Sequence, residues 1–268
     1  LDDGLTEISS RQGQLVGLWG FGAHYAIVPE LGVLAGIHQG FSPVAPGQSP
    51  GVKPETSVNY EFGLRFNQSS SATLVEAVGF VSDYANLVGE CTFSSGCGTE
   101  QLDRQYNAGQ VLVAGLELVA AHRFEFDGGL RVPLRLAYTF THTSFRTAFT
   151  SENPQLGVVA VGDELPYVPA HQVALQAGVG SRRWGVDVSC AVVDEMRERA
   201  GQGAAPASER TDLLVLLDVV GRVEFLSGME LYTKIDNLLM QDTIVSRRPF
   251  GARSNKPFSL SVGLKLHL

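Results

Sequence analysis

The side chains best equipped to hold a ligand in this 268-residue chain are arginines. Arg146, Arg197, Arg199, Arg210, Arg247, Arg248 and Arg253 all lie in or near long connecting segments. A guanidinium meets a carboxylate through a two-pronged fork of N–H donors, so such groups suit an acidic chelate. They suit surface phosphates or the nearby acids Glu195, Glu198 and Glu209 equally well, and for any one arginine that is the simpler assignment. The adjacent pair Arg247 and Arg248, beside Pro249, is the leading candidate, followed by Arg253 and Arg146.

Other chemistry is thinly represented. The histidines His24, His38, His122, His142, His171 and His267 are scattered, and no two have the spacing of a metal-binding helix face. A nucleophile elbow, a phosphate-binding loop and a dinucleotide fingerprint are all missing, which argues against an enzyme. Cys91 and Cys97 lie six residues apart in "GECTFSSGCG" (89–98). They are either a short-loop disulfide, if the compartment is oxidising, or two free thiols. Cys190 falls on the apolar phase of its segment and reads as a small hydrophobe.

The elements that must position these residues are strands. The final stretch, "FSLSVGLKLHL" (258–268), alternates without a break between an apolar phase and a small or polar phase. Successive side chains of a strand point to opposite faces, so one face is apolar and the other polar. The same pattern recurs in "TSVNYEFGLRF" (56–66), "LRVPLRLAYTF" (130–140), "HQVALQAGV" (171–179) and "WGVDVSCAV" (184–192). About eleven such strands are expected, near 14–27, 31–41, 55–66, 72–86, 105–126, 130–145, 170–180, 184–196, 211–225, 229–237 and 258–268. Aromatic residues near strand ends (Trp19, Tyr25, Tyr84, Tyr167, Trp184, Tyr232) are either interface belts or ordinary strand composition.

Composition is consistent with strands that cross a bilayer. Charged residues make up only 18% of the chain, against about 25% in soluble domains. No apolar run approaches the roughly 20 residues of a membrane helix, but a membrane strand needs only every second residue to be apolar. A net charge of −8 without any basic stripe argues against nucleic-acid binding. The connections point the same way. Short turns at 28–31, 67–71, 127–129, 181–183 and 227–228 alternate with long loops at 42–54, 87–104, 146–169, 197–210 and 238–257. In a meander every second connection shares a rim, so one rim carries turns and the other carries loops. The expected fold is therefore all-β: a transmembrane, up-and-down, antiparallel β-barrel with the loops outside the cell.

An odd strand count beginning on the outside, and strand edges that hydrocarbon cannot satisfy, imply that these strands are one part of a larger barrel. The opening "LDDGLTEISS" (1–10) has neither the basic start nor the apolar core of an export signal, so for an exported protein that signal is expected upstream.

Specific words then resemble a family. "VKPETSVNYEFGLRF" (52–66), "LPYVPAH" (165–171), "DNLLMQDTIVSRRPFGAR" (236–253) and the tail "GLKLHL" (263–268) occur in the order found in TonB-dependent outer-membrane receptors, and are nearest to the ferric citrate type. The resemblance implies a barrel of about 22 strands around a plugged lumen. Residues 1–268 would be its C-terminal half, and an N-terminal plug and first barrel half would lie outside this chain. It implies uptake of a ferric chelate, such as a siderophore or ferric citrate, energised through TonB. It further implies contact with outer-membrane lipid and lipopolysaccharide, iron present only as bound chelate, and no other cofactor. Gly263, Leu266 and Leu268 match the barrel-insertion signal of the last strand, although the final residue is leucine where phenylalanine is usual. The alternatives are a barrel of another class (a passive channel or a membrane hydrolase) and a soluble all-β binding module, which would bury the apolar faces in a dry core.

Overall fold

The structure, a computed structural model, describes residues 16–266. The chain opens with β1 (Gly20–Val28), β2 (Leu31–Ser42), β3 (Glu55–Gln68) and β4 (Thr73–Asn86). A short pair, β5 (Val88–Glu90) and β6 (Gln105–Asn107), precedes β7 (Val111–Glu125) and β8 (Arg131–Phe145). A second pair, β9 (Phe149–Thr150) and β10 (Val158–Val159), precedes β11 (His171–Gly180), β12 (Trp184–Val193), β13 (Leu214–Leu226) and β14 (Met229–Asp236). A third pair, β15 (Ile244–Ser246) and β16 (Arg253–Ser254), leads to β17 (Ser259–Leu266).

Eleven of these strands form one antiparallel sheet in the order β1-β2-β3-β4-β7-β8-β11-β12-β13-β14-β17. Apart from the three short pairs, which form hairpins of their own, neighbours in the sheet follow one another in the chain. Every short connection lies on one rim and every hairpin-bearing loop on the other. The turn between β7 and β8 shows why the first rim is tight. Gly128 and Gly129 sit at φ +81° and +80°, the left-handed region that only glycine enters without strain.

Register sorts the two faces. Directly opposed residues share a face, and Phe62, Gly79, Leu116 and Phe140 oppose one another in turn across β3, β4, β7 and β8. The other phase carries Glu61, Arg65, Glu76, Glu117, Arg135, Asp187, Lys234 and Lys265. On the apolar face no second sheet covers the large side chains: Phe21, Phe62 and Val262 are 74%, 62% and 64% exposed. The dry core expected of a two-layered soluble module is therefore absent among the described residues. Arranged this way, the sheet presents hydrocarbon to hydrocarbon, and its crossing elements are strands.

Several expected boundaries move. The strand expected at 105–126 splits, because Leu87 N–H donates to Gly109 O and Ala108 N–H donates to Leu87 O, and Gly109 turns at φ +70°. Its first part becomes the loop hairpin strand β6, so the loop expected at 87–104 runs to 110. The ninth strand, expected at 211–225, begins at Leu214 because Thr211 and Asp212 are tied into the loops. Register also places Tyr84 and Tyr232 on the polar face, opposite Ser57 and Gly263, so neither belongs to an interface belt. Residues 14–15 of the first expected strand, and His267 and Leu268 of the last, lie outside the described residues.

Leu264 opposes Leu231 on the apolar face and is 53% exposed. Leu264→Arg should lower the amount of barrel recovered from membranes, because an arginine on a lipid face is destabilising in a depth-dependent way, by up to about 2–4 kcal/mol at the midplane. Unchanged recovery would mean that this face does not meet lipid.

Candidate functional site at the loop rim

At the loop rim the polar face is covered by the chain itself. Ala108, Val111, Phe145 and Val159 are nearly inaccessible and form a small core, with Tyr84, Tyr106, Phe149 and Leu165 packed around it. Val111 and Phe145 oppose each other on the polar face, so the β9–β10 hairpin folds inward across that face. Backbone bonds secure it: Phe145 N–H donates to Asp163 O at 2.8 Å and Gly162 N–H to Phe145 O at 2.8 Å. Thr143 Oγ1 accepts from Leu165 N–H at 2.9 Å.

The other loops clasp this hairpin and one another. Cys91 and Cys97 form a disulfide, and both are buried. The proline-rich segment 43–54 is tied to β6 by amide pairs. Lys53 N–H donates to Asn107 Oδ1 at 2.9 Å, and Asn107 Nδ2 returns a bond to Lys53 O at 2.9 Å. Further bonds run from Ala45 N–H to Gln105 Oε1 at 2.9 Å and from Gln48 Nε2 to Asp103 O at 2.7 Å.

The four arginines singled out from sequence do not converge on one point. Arg247 spends its guanidinium on backbone carbonyls, Nε to Arg210 O at 2.6 Å and Nη2 to Ala207 O at 2.7 Å. Arg248 is inside the loop assembly. Its Nε lies 2.7 Å from Glu198 Oε1, with side chains only 15% and 11% exposed. The same Nε satisfies no hydrogen-bond geometry, so the distance marks an ionic contact whose N–H does not point at the carboxylate. Gly96, at φ +82°, makes room for Arg248 Nη1, which a Cβ would strike, and Pro154 lies against the same spot. Arg248 thus joins the disulfide loop, the β9–β10 loop and the segment that follows β12. Arg253 is exposed, with Ser246 Oγ at 3.4 Å. Arg146 pairs with Asp83 at 2.9 Å. Asp83 opposes Leu112 on the apolar face, so that pair stands outside the wall. Gly263 and Leu266 both lie in β17. The ring of Tyr232 covers Gly263, and Leu266 opposes Met229 on the apolar face.

A cleft of about 300 Å³ opens between the β5–β6 and β9–β10 hairpins. Arg104, Gln101, Tyr106, Glu152 and Asn153 line it. Arg104 is exposed and enters no ion pair among the described residues. Asn153 Nδ2 donates to Tyr106 Oη at 2.7 Å. Burial pushes the Tyr106 phenol above its ordinary value, and the Asn153 bond opposes the rise only in part. The phenol therefore stays protonated at neutral pH, with its own hydrogen free to donate. A guanidinium and a protonated phenol lining one cleft offer donors to an anion carrying oxygen acceptors, while the Glu152 carboxylate in the same lining accepts from Gln101 Nε2 at 2.6 Å. Sequence reading passed over both residues, since Arg104 closed an expected loop and Tyr106 opened an expected strand. The signal that marks them is Gly109, which breaks the alternation just after Tyr106.

Comparisons with known proteins agree on the architecture. The family described as TonB dependent receptor-like, beta-barrel, matches residues 3–238. Among solved structures, the ferric-catecholate import receptor Fiu from E. coli K12 superposes on 94% of this chain and 35% of its own, with TM-score 0.70 and 17% identity. The siderophore receptor PiuA from Acinetobacter baumannii gives TM-score 0.71 at 14% identity, over 93% of this chain and 35% of that one. The ferric yersiniabactin uptake receptor FyuA from Yersinia pestis gives 0.67 at 18%, over 93% and 37%. The chain thus spans little more than a third of these structures. No curated protein matches it by sequence.

Removing Arg248 would leave Glu198 buried and unpaired, which costs about 3–5 kcal/mol. Arg248→Ala should therefore loosen three loops at once, read as faster amide exchange at 92–97, 153–157 and 198–201 with the wall strands unaffected. Unaltered exchange at these sites would show that Arg248 does not hold the loops together.

Proposed function

Because this chain belongs to the TonB-dependent receptor β-barrel family, we propose that it is the C-terminal barrel half of an outer-membrane receptor that takes up a ferric chelate. The family consists of transport receptors rather than enzymes. The observation that carries the reading is the pairing of an apolar outer face with a loop rim folded inward over the polar face. In a closed barrel the polar face becomes the lumen wall, and the loop rim becomes its mouth on the cell exterior.

Two physical requirements support the missing parts. The outer edges of β1 and β17 are unpaired in the sheet, and hydrocarbon offers no partner for an edge. Further strands, from an N-terminal barrel half, satisfy both edges at once. The charges of the polar face are too many for a narrow dry interior and suit a wide lumen that holds a polar plug. In this reading TonB supplies energy through that N-terminal half, and iron arrives already chelated, so the protein provides no metal ligand of its own. Lipid and lipopolysaccharide surround the wall. Several structural neighbours carry iron-chelate uptake in their names, which supports a siderophore or ferric citrate-like ligand.

Arg104 and Tyr106 are the residues proposed to meet the chelate, with Arg253 exposed on the β15–β16 hairpin as a secondary contact. Arg247 and Arg248 act by shaping the loops. The test uses the receptor reassembled with its N-terminal half and titrated with ferric citrate and two neutral siderophores. Arg104→Ala should weaken an anionic chelate by about tenfold or more, the equivalent of one charge-assisted hydrogen bond, with little change for a neutral one. Binding of none of the three chelates would remove the iron assignment.

A further inference from the structure

The apolar face is not uniformly convex. Between β3 and β8 it holds a groove of about 970 Å³, walled by Tyr60 and Phe62 on one side and Phe140 on the other. Its floor is made by Ala77, Gly79 and Ala114, on β4 and β7. The groove runs along the wall toward the loops: Leu64 and Ala77 form its inner row, past mid-strand on the turn side, and Tyr60, Val81, Ala114 and His142 form its outermost row, a few residues from the loop-side strand ends.

Gly79 is the informative residue. A glycine inside a strand weakens it, by roughly 0.5–1 kcal/mol relative to alanine, and often marks a site where something approaches closely. Two neighbouring glycines are explained by the fold. A Cβ at Gly63 would lie 2.7 Å from Ala77 O, and one at Gly115 would strike Phe140 O. A Cβ at Gly79 would meet only Gly115 O and Phe62 O, both at 3.9 Å, which is ordinary contact. Its backbone needs no left-handed conformation. Neither packing nor geometry within the chain requires glycine there, yet its presence deepens the groove.

The groove has a polar head. Asp83, two residues beyond Val81 on the same face, is reached by Arg146 Nη1 at 2.9 Å across β7. Both side chains are about half exposed, and Arg146 Nε and Nη2 make no hydrogen bond or ion pair among the described residues. An ion pair on the outer face, at the edge of the apolar band and on the loop side, stands at headgroup level.

We propose that this groove seats one phosphoglycolipid of the outer leaflet, with an acyl chain lying over Gly79 and the headgroup at Arg146 and Asp83. The guanidinium donors not used by Asp83 take the phosphate, and the carboxylate takes a hydroxyl or amide hydrogen of the sugar. The proposal rests on the membrane placement above but not on chelate uptake.

The receptor containing this chain, extracted in mild detergent and exchanged against lipid A or phosphatidylglycerol, is examined by native mass spectrometry. Lipid A should be retained at one copy. Retention should fall about tenfold in Arg146→Ala, matching the loss of a charge-assisted contact, and comparably in Gly79→Leu and Ala114→Leu, which fill the groove. Chelate binding by Gly79→Leu should remain normal, which separates this proposal from the uptake reading. Equal retention by wild type and the groove variants would overturn it, as would phosphatidylglycerol holding as well as lipid A. Should a filled variant fail to assemble, lipid A with a photoreactive acyl chain tests the wild type directly. Crosslinks concentrated at residues 77–81 support the seat, and crosslinks spread evenly over the apolar face overturn it.

Discussion

A backbone amide in hydrocarbon has no water to bond with, and the rest of this structure follows from that constraint. The nine inner wall strands spend their N–H and C=O groups on neighbours at both edges, and β1 and β17 do so at one edge, which leaves side chains to decide which face meets which solvent. With a period of two, a slip of one residue would exchange the faces and drive Glu61, Arg65 and Glu117 into lipid while Phe62, Leu64 and Leu116 met water. The register is therefore held far more firmly by the medium than by any single contact. It also explains why a chain with 44% hydrophobic residues has so little buried core: its apolar side chains are spent outward.

The loops obey a different economy. Outside the bilayer they have water for their backbone groups but no sheet to hold them, so they are fastened by a few specific devices. A disulfide closes one loop, reciprocal amide bonds fasten a second to it, and the Glu198–Arg248 pair joins others to both. The small core around Val111 and Phe145 anchors the group to the wall. A buried ion pair adds little net stability compared with apolar packing, but removing one partner is costly, so the pair fixes how these loops meet.

The wall was legible in the sequence because alternation is local. The residues 258–268, 171–179 and 184–192 each carry their own periodicity, and an observer needs no partner strand to see it. The rim assignment was equally open to reading, since connection lengths are counted along the chain. The break at Gly109 was missed because Gln105–Asn107 alternates as well as a wall strand does; only the bonds between Leu87 and its neighbours across the loop show that it belongs to a hairpin. Tyr84 and Tyr232 were similarly ambiguous, because an aromatic residue suits either the interface or a lumen wall over a small neighbour.

What the sequence determined by itself was the two-faced character of each strand and the sorting of the long loops to one rim, because both are written in spacing, while the ordered motif words carried the resemblance to the family. What only the tertiary structure decided was the role of the individual charges. Arg247 and Arg248 are adjacent in the chain, yet one caps carbonyls and the other is sealed against Glu198, while Arg104 faces an open cleft. The reason is that a guanidinium's task depends on which acceptors lie within about 3 Å of it. Those acceptors come from loops separated by tens of residues, whose meeting no local pattern records.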